Sequence, residues 1–291
     1  MLSRLIGAVA ALALAAGAAE AQTIKIGSKN FTEQFVVGHM YAEALEAAGF
    51  KVERKINLGS FAVAHGALTK GEIDLYPEYT GTALNNIVKA PAEGGPDGVY
   101  AKVKAHYEKE FKLTWLKPTG INNGYAIVVR GETAAQHKLK TLSDLAKVSK
   151  TLVLGAGPEF LDRKDGIPGL KAVYGMEFKE FKQFSSYPLR YKAIEEKQID
   201  IVNGFATDWQ IAAGKYVALD DDKGLFPPYY LAAVVRMDTL EKNPRIRAAL
   251  EAIGPHLTNA VMAELNRQVE ADKKEPKAVA AAFLKSKGLI K

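Results

Sequence analysis

The chain contains no cysteine. It can form no disulfide, no thiolate nucleophile and no thiolate metal site, so the fold must rest on its core. Histidine is scarce and scattered: His39, His65, His106, His137 and His256 have no metal-ligand spacing. A Gly-x-Ser-x-Gly nucleophile elbow is absent. Asp74 and Glu78 form a carboxylate pair, but such pairs are common and by themselves weak grounds for a hydrolase. The residues therefore argue against an enzyme, and no cofactor or metal is called for. A strong excess of one charge is lacking too. Lys and Arg number 39 against 33 Asp and Glu, a formal charge of +6. Basic side chains sit among acids, as where Lys102 and Lys104 precede Glu108, Lys109 and Glu110. That pattern is solvated surface, not a nucleic-acid stripe.

Apolar runs are short except at the start. Arg4 precedes an Ala- and Leu-rich stretch from Leu5 to Ala18, and Ala19-Glu20-Ala21 is a small-x-small cleavage site. Residues 1–21 read as a secretory signal peptide, too short and too Ala-rich for a membrane span. No Cys follows the run, which excludes a lipoprotein anchor. The expected location is the periplasm, with cleavage after Ala21.

At 291 residues the chain can hold one large or two ordinary domains. Beyond the N-terminus, short apolar strands alternate with amphipathic helices, the pattern of an α/β fold. Ile24 to Gly27 reads as the first strand. Asn30, with Glu33 three residues on, resembles a capping box for the next helix. Ser60 is placed to cap a helix running to Lys70. Residues 89–98 read as an exposed loop, with a charged helix after it. Tyr125 to Val129 is a continuous apolar run, expected as a buried strand crossing between lobes. Asn122-Asn123-Gly124 can be a turn.

The most informative feature is a repeat. Asp74-Leu75-Tyr76-Pro77-Glu78-Tyr79-Thr80 and Asp200-Ile201-Val202-Asn203-Gly204-Phe205-Ala206 share one grammar. Each follows a helical run closed by an Ile-Asp pair. At constant offset Ala67 matches Ala193, Leu68 matches Ile194 and Tyr79 matches Phe205. Two halves that each end a strand on an aromatic ring suggest a ligand gripped between similar lobes. The expected division is one lobe from 22–123 plus 228–291 and a second from 124–227, with a hinge of two crossover strands and a cleft between.

Three motifs carry a family resemblance. Gly27-Ser28-Lys29-Asn30-Phe31-Thr32-Glu33-Gln34, Tyr76-Pro77-Glu78-Tyr79-Thr80-Gly81-Thr82 and Phe226-Pro227-Pro228-Tyr229-Tyr230 resemble the signatures of one family. It is that of the substrate-binding proteins of osmoprotectant ABC importers, for glycine betaine, choline, carnitine and related quaternary amines. The resemblance spans the chain beyond the signal segment. It implies a two-lobed type II periplasmic-binding-protein fold that closes on its ligand, and a cage of aromatic rings around a trimethylammonium head. It implies as partners that small-molecule ligand and an inner-membrane ABC permease with its ATPase; a monomer is expected, and no nucleic acid.

By position, the resemblance places Tyr79, Tyr125 and Tyr229 at cage tyrosines. Phe205 stands where relatives usually have Tyr. Lys29, Thr82 and Arg163 fall where relatives hold the carboxylate of betaine, and Asn123 where some carry Asp. A salt bridge to Asp162 or Asp165 is the rival role for Arg163. Choline, lacking a carboxylate, would leave Lys29 and Arg163 unpaired, which argues for a zwitterion. Asp208 reads as a helix cap and Trp209 as packing. A different zwitterion or an amino acid on the same fold is the alternative ligand.

A quaternary ammonium donates no hydrogen bond and spreads its charge over methyl groups. The receptor that suits it is a ring of π-faces, each contributing about 0.5–2 kcal/mol. Four faces can supply much of the roughly 8 kcal/mol that micromolar binding requires.

Overall fold

A computed structural model describes residues 23–291; the signal-peptide reading of 1–21 lies outside them. Ten strands form two five-stranded sheets. In chain order they are β1 (Ile24–Lys29), β2 (Val52–Gly59), β3 (Leu75–Tyr79), β4 (Leu113–Trp115), β5 (Tyr125–Arg130), β6 (Val153–Ala156), β7 (Glu180–Gln183), β8 (Ile201–Phe205), β9 (Tyr216–Leu219) and β10 (Leu231–Arg236). The first sheet runs β2-β1-β3-β10-β4 and the second β7-β6-β8-β5-β9. The helices are α1 (Thr32–Ala47), α2 (Phe61–Thr69), α3 (Thr80–Ala83), α4 (Gly95–Phe111), α5 (Gly131–His137), α6 (Leu142–Val148), α7 (Ile167–Tyr174), α8 (Tyr187–Glu195), α9 (Trp209–Ala212), α10 (Met237–Lys242), α11 (Arg245–Glu251), α12 (Asn259–Glu270) and α13 (Pro276–Ser286).

The two sheets have one plan. β1 lies parallel to β2 and β3, and β6 parallel to β7 and β8. Each sheet then takes one antiparallel neighbour, β10 beside β3 and β5 beside β8. The repeated Ile-Asp pair has a structural reason. Asp74 accepts the Lys25 amide at 2.7 Å and Asp200 accepts the Val153 amide at 3.0 Å. Each carboxylate thus ties the start of a central strand to its parallel neighbour. The matched helix ends agree as well: Glu72 N–H bonds Ala67 O and Gln198 N–H bonds Ala193 O, both at 2.9 Å.

Central strands β3, β5, β8 and β10 are apolar and buried almost throughout, as expected where helices cover both faces. In α1 the buried residues Val36, Val37, Met40, Tyr41, Ala44 and Leu45 recur at helical spacing. That face packs on the first sheet and on α11, α12 and α13. A second apolar cluster on the same sheet holds α2 and α4 around Trp115 and Tyr107. The second sheet has its own core around Leu142, Leu154, Phe160 and Leu170.

Several expectations need correction. Tyr125 to Val129 does not cross between lobes. It is β5, paired on both sides inside the second sheet. The crossings are residues 116–124 and 220–230, which run side by side: Asn123 N–H bonds Tyr229 O, and Leu231 N–H bonds Ile121 O, each at 3.0 Å. Pairing with the second crossing is also why Asn122-Asn123-Gly124 is not a turn. Asn30 does not cap α1; the cap position is Phe31, and no side chain caps it. Ser60 does occupy the cap of α2 but makes no side-chain cap bond. The 89–98 loop is shorter than expected, because Pro96 suits a first helical turn and α4 starts at Gly95.

Among the described residues no helix is long and apolar enough to cross a membrane.

Candidate functional site

Each sheet brings one end of its central strands to the space between the lobes. β3 ends there at Tyr79 and β8 at Phe205. Tyr125, the first residue of β5, lies directly opposite Phe205 in the antiparallel register. Directly opposed side chains share a face and meet, and these rings stack at 5.1 Å between centroids with 25° between planes. Tyr229 arrives on the second crossing, edge to face with Tyr125 at 6.2 Å. Phe160 and Phe226 back Tyr125 at 5.1 and 5.7 Å.

A fifth ring was missed in the sequence. Phe31, at the start of α1, lies 6.4 Å from both Tyr79 and Phe205, at 22° and 5° to their planes. It bridges the aromatic ends of the two sheets. The signal was present, since Phe31 lies inside the first motif at a strand-to-helix junction.

These rings line a cavity of about 470 Å³. Lys29, Tyr79, Thr82, Asn123, Tyr125, Arg163, Phe205 and Tyr229, all singled out in the sequence, line it together. Its wall continues through Asn30 and Ser60, read in the sequence only as helix caps, and through Phe61, Pro158, Glu159, Ser185 and Arg190, which the sequence did not point to.

The cations are already engaged. The Lys29 ammonium is buried and bonded to Glu78, whose carboxylate also accepts the Tyr76 hydroxyl at 3.0 Å and the Tyr79 amide at 2.7 Å. Burial lowers the Lys29 pKa while Glu78 opposes the shift. The ammonium lies 4.4 Å from the Tyr79 ring centre, occupying a π-face. Arg163 makes a two-pronged bond to Asp165, Nε at 2.8 Å and Nη2 at 2.7 Å, and stands over Tyr125 at 5.2 Å. Asp165 is the partner and Asp162 is not. Asp165 also accepts the Tyr229 hydroxyl and the Asn85 amide. The inference that a ligand without a carboxylate would leave Lys29 and Arg163 unpaired therefore fails.

Carboxylates lie behind the rings. Glu33, placed in the sequence as a capping residue, turns inward instead. It accepts the Tyr79 hydroxyl at 2.6 Å, the Asn123 amide at 3.2 Å, the Thr207 hydroxyl at 2.5 Å and the Asn266 amide at 3.4 Å. These donors come from both sheets' ends, the first crossing and α12. Burial raises its pKa, and the four bonds pull it back down. Asp208 holds the cap position of α9 without capping it. Its carboxylate reaches back to the Tyr191 hydroxyl at 2.7 Å and the Phe205 amide at 2.9 Å, fixing the strand end that carries the Phe205 ring. Burial pushes its pKa up to about 7, against those two bonds. Trp209 donates its indole N–H to Glu270 at 3.0 Å.

The lobes are bridged on both sides of the cavity. Asn85 reaches Asp165 at 2.9 Å on one side. Thr207 reaches Glu33 on the other, and Asn266 holds the Thr207 carbonyl at 3.2 Å. The arrangement is a closed cleft with an aromatic wall and a polar extension. Among the described residues no group of three His, Asp or Glu is placed to hold a metal.

Comparison with known proteins bears on the family and the fold. A family profile described as the substrate binding domain of ABC-type glycine betaine transport systems matches residues 22–286. The ergothioneine transport permease/ergothioneine binding protein EgtU of Helicobacter pylori (strain G27) is 36% identical over 94% of this chain. The match spans 49% of that longer relative. The carnitine transport binding protein OpuCC of Listeria monocytogenes is 33% identical over 92% of this chain and 88% of its own length. A crystal structure of a glycine betaine/carnitine/choline ABC transporter superimposes with a TM-score of 0.78 at 31% identity, covering 91% of this chain and 99% of that one.

Proposed function

The chain belongs to the family of substrate-binding domains of ABC-type glycine betaine transport systems, and from that premise we propose that it captures a betaine between its lobes and presents it to an ABC permease. By betaine we mean a zwitterion with a quaternary ammonium head and an acid group. Substrate-binding proteins of such importers act outside the cytoplasm. For this chain we infer the periplasm, cleavage after Ala21, a monomeric state, and a hinge at the two crossings that divides 22–123 plus 228–291 from 124–227.

The observation that carries the reading is the convergence of five mutually packed rings on one cavity, reached from both sheets, with Phe61 as a sixth ring on its wall. The Lys29 ammonium already uses a face of Tyr79. Lys29 also stands over Phe31 at 5.7 Å and Arg163 over Tyr125 at 5.2 Å, so the head group is assigned to the remaining faces and edges of Phe31, Tyr125, Phe205 and Tyr229, with Tyr79, the ring nearest Lys29, closing the side. Phe205 keeps the π-face of the tyrosine common in relatives but not its phenol oxygen.

The acid group is assigned to the Arg163 side. Nε and Nη2 go to Asp165, and the Nη1 donor is left for the ligand, with Thr82, Asn123 and Lys29 on the surrounding wall. An amino acid is the poorer candidate. Its ammonium needs a carboxylate free to accept it; Glu78 is bonded to Lys29, and Glu159 on the cavity wall lies 3.8 Å from the Arg190 guanidinium.

Cavity size bears on the choice among betaines. Pockets of about 300–1,000 Å³ suit ligands up to drug size. At about 470 Å³ with a polar extension, this one has room for an arm longer than that of glycine betaine. Calorimetry on the protein without residues 1–21 tests the reading. Glycine betaine, carnitine, proline betaine and ergothioneine are the trial ligands, with choline as the head group lacking an acid. At least one betaine is expected to bind in the micromolar range, and carnitine or ergothioneine at least as tightly as glycine betaine. If none binds at millimolar concentration, the ligand class is wrong.

A further inference from the structure

Glu33 is 2% exposed, yet it makes no ion pair among the described residues. Of the charges around it, the two cations are cancelled, while the carboxylates of Asp208 and Glu270 on the same small chamber likewise make no ion pair among the described residues. Lys29 is matched by Glu78 and Arg163 by Asp165. All four of its partners donate hydrogen bonds, and two of them, the amide nitrogens of Asn123 and Asn266, can only donate. Such a donor set suits a carboxylate. The first turn of α1, where Glu33 sits, also favours negative charge.

Its placement relative to the rings matters most. A water-sized chamber of about 20 Å³ is lined by Phe31, Glu33, Phe205, Thr207, Asp208 and Asn266. Phe31 and Phe205 also line the main cavity. Two rings of the cage, with Asn123, thus form a wall shared by the ligand space and the chamber that holds the carboxylates of Glu33, Asp208 and Glu270. A third, Tyr79, is bonded to Glu33 through its hydroxyl.

We propose that Glu33 is a specificity-determining residue: fixed behind the cage and paired with no cation, it makes the cage prefer a positively charged quaternary head over a neutral group of the same shape. In a low-dielectric site a charge acts through a ring's thickness far more strongly than in water. The ligand's ammonium then supplies the counter-charge that the protein withholds. Because Thr207 belongs to the other lobe, the same carboxylate also ties closure to the filled cage. Glu33 acts through the rings, without touching the ligand, and the inference rests on the cage reading given above.

The test compares glycine betaine with its carbon isostere, 3,3-dimethylbutanoate, by calorimetry. Both carry the acid group, so only the head charge differs. In the wild type, betaine is expected to bind at least a hundredfold more tightly. Glu33→Gln is expected to weaken betaine tenfold or more while moving the isostere less than about twofold. Thr207→Val keeps the carboxylate and loosens the lobe contact, so both ligands should weaken by one factor and the ratio should hold. Should Glu33→Gln fail to fold, Asn266→Lys sets an ammonium against the carboxylate and is expected to collapse the same ratio. A ratio unchanged in the folded neutralising variant, whether both ligands weaken together or neither does, overturns the proposal and leaves the cage reading intact. A wild type that binds neither ligand, nor any betaine, overturns both.

Discussion

Tyr125→Ala is expected to weaken betaine binding by roughly a hundredfold, about 2.7 kcal/mol. Tyr125 is the ring on which the others lean. It stacks on Phe205, meets Tyr229 edge to face, is backed by Phe160 and Phe226, and carries the Arg163 guanidinium above its face. Removing it deletes one face, about 0.5–2 kcal/mol for a cation. It also deletes the ring contacts, each about 0.5–1.5 kcal/mol, that hold Phe205 and Tyr229 in place. The two losses compound because the remaining rings must then be ordered by the ligand itself. Tyr125 is only partly buried, so the stability cost should stay below the roughly 3–5 kcal/mol of a full core aromatic truncation. Calorimetry and urea unfolding on one preparation separate the two effects. An affinity within about threefold of wild type would remove Tyr125 from the site.

Gly81→Ala is the second large effect, and it acts without touching the ligand. A Cβ at position 81 would lie 2.7 Å from Tyr229 Cδ1 and 2.8 Å from the Pro228 carbonyl oxygen. The glycine is not there for backbone freedom, since its φ is not positive. It is there because Cδ1 and Cε1 of the Tyr229 ring occupy the space a side chain would take at that point. One methyl group displaces the ring, and with it the Asp165 carboxylate to which the Tyr229 hydroxyl and Arg163 are bonded. Affinity should fall at least tenfold, with an overpacking cost of about 1–3 kcal/mol. Gly124 makes a weaker version of the same contact, 3.3 Å to Tyr229 Cδ2. If Gly81→Ala keeps full affinity, Tyr229 does not need its position.

The contrast between these two residues explains what the chain disclosed before its fold was known. The repeat was legible because a strand end is a local event. Ile73-Asp74 and Ile199-Asp200 each close a helix and open a strand, and an aromatic five residues later falls at the cleft by strand geometry alone. Strands β5 and β10 were legible as unbroken apolar runs. The short strand β7 was not, since Glu180 to Gln183 carries charge and sits at a sheet edge, where no apolar pattern is required. Phe31 was quoted in a motif but given no role, because its ring faces the cleft only through the way α1 leaves β1.

Glu33 shows the limit most clearly. Asn30 and Glu33 satisfy the spacing of a capping box, and local reasoning ends there. The four donors that claim the carboxylate are residues 79, 123, 207 and 266, far apart in sequence and joined only by the lobe arrangement. Likewise Lys29 and Arg163 look like open cations in the sequence. Glu78 lies beside Lys29 only after β1 and β3 pair, whereas Asp165, two residues from Arg163, could be foreseen as a rival partner.

The most direct test of a betaine held in an aromatic cage is a crystal structure of the protein with glycine betaine bound. The nitrogen should lie within about 6 Å of the ring centres of Phe31, Tyr125, Phe205 and Tyr229, with the ligand carboxylate toward Arg163. A trimethylammonium group found elsewhere in the cleft, or these four rings turned away from it, would contradict the assignment.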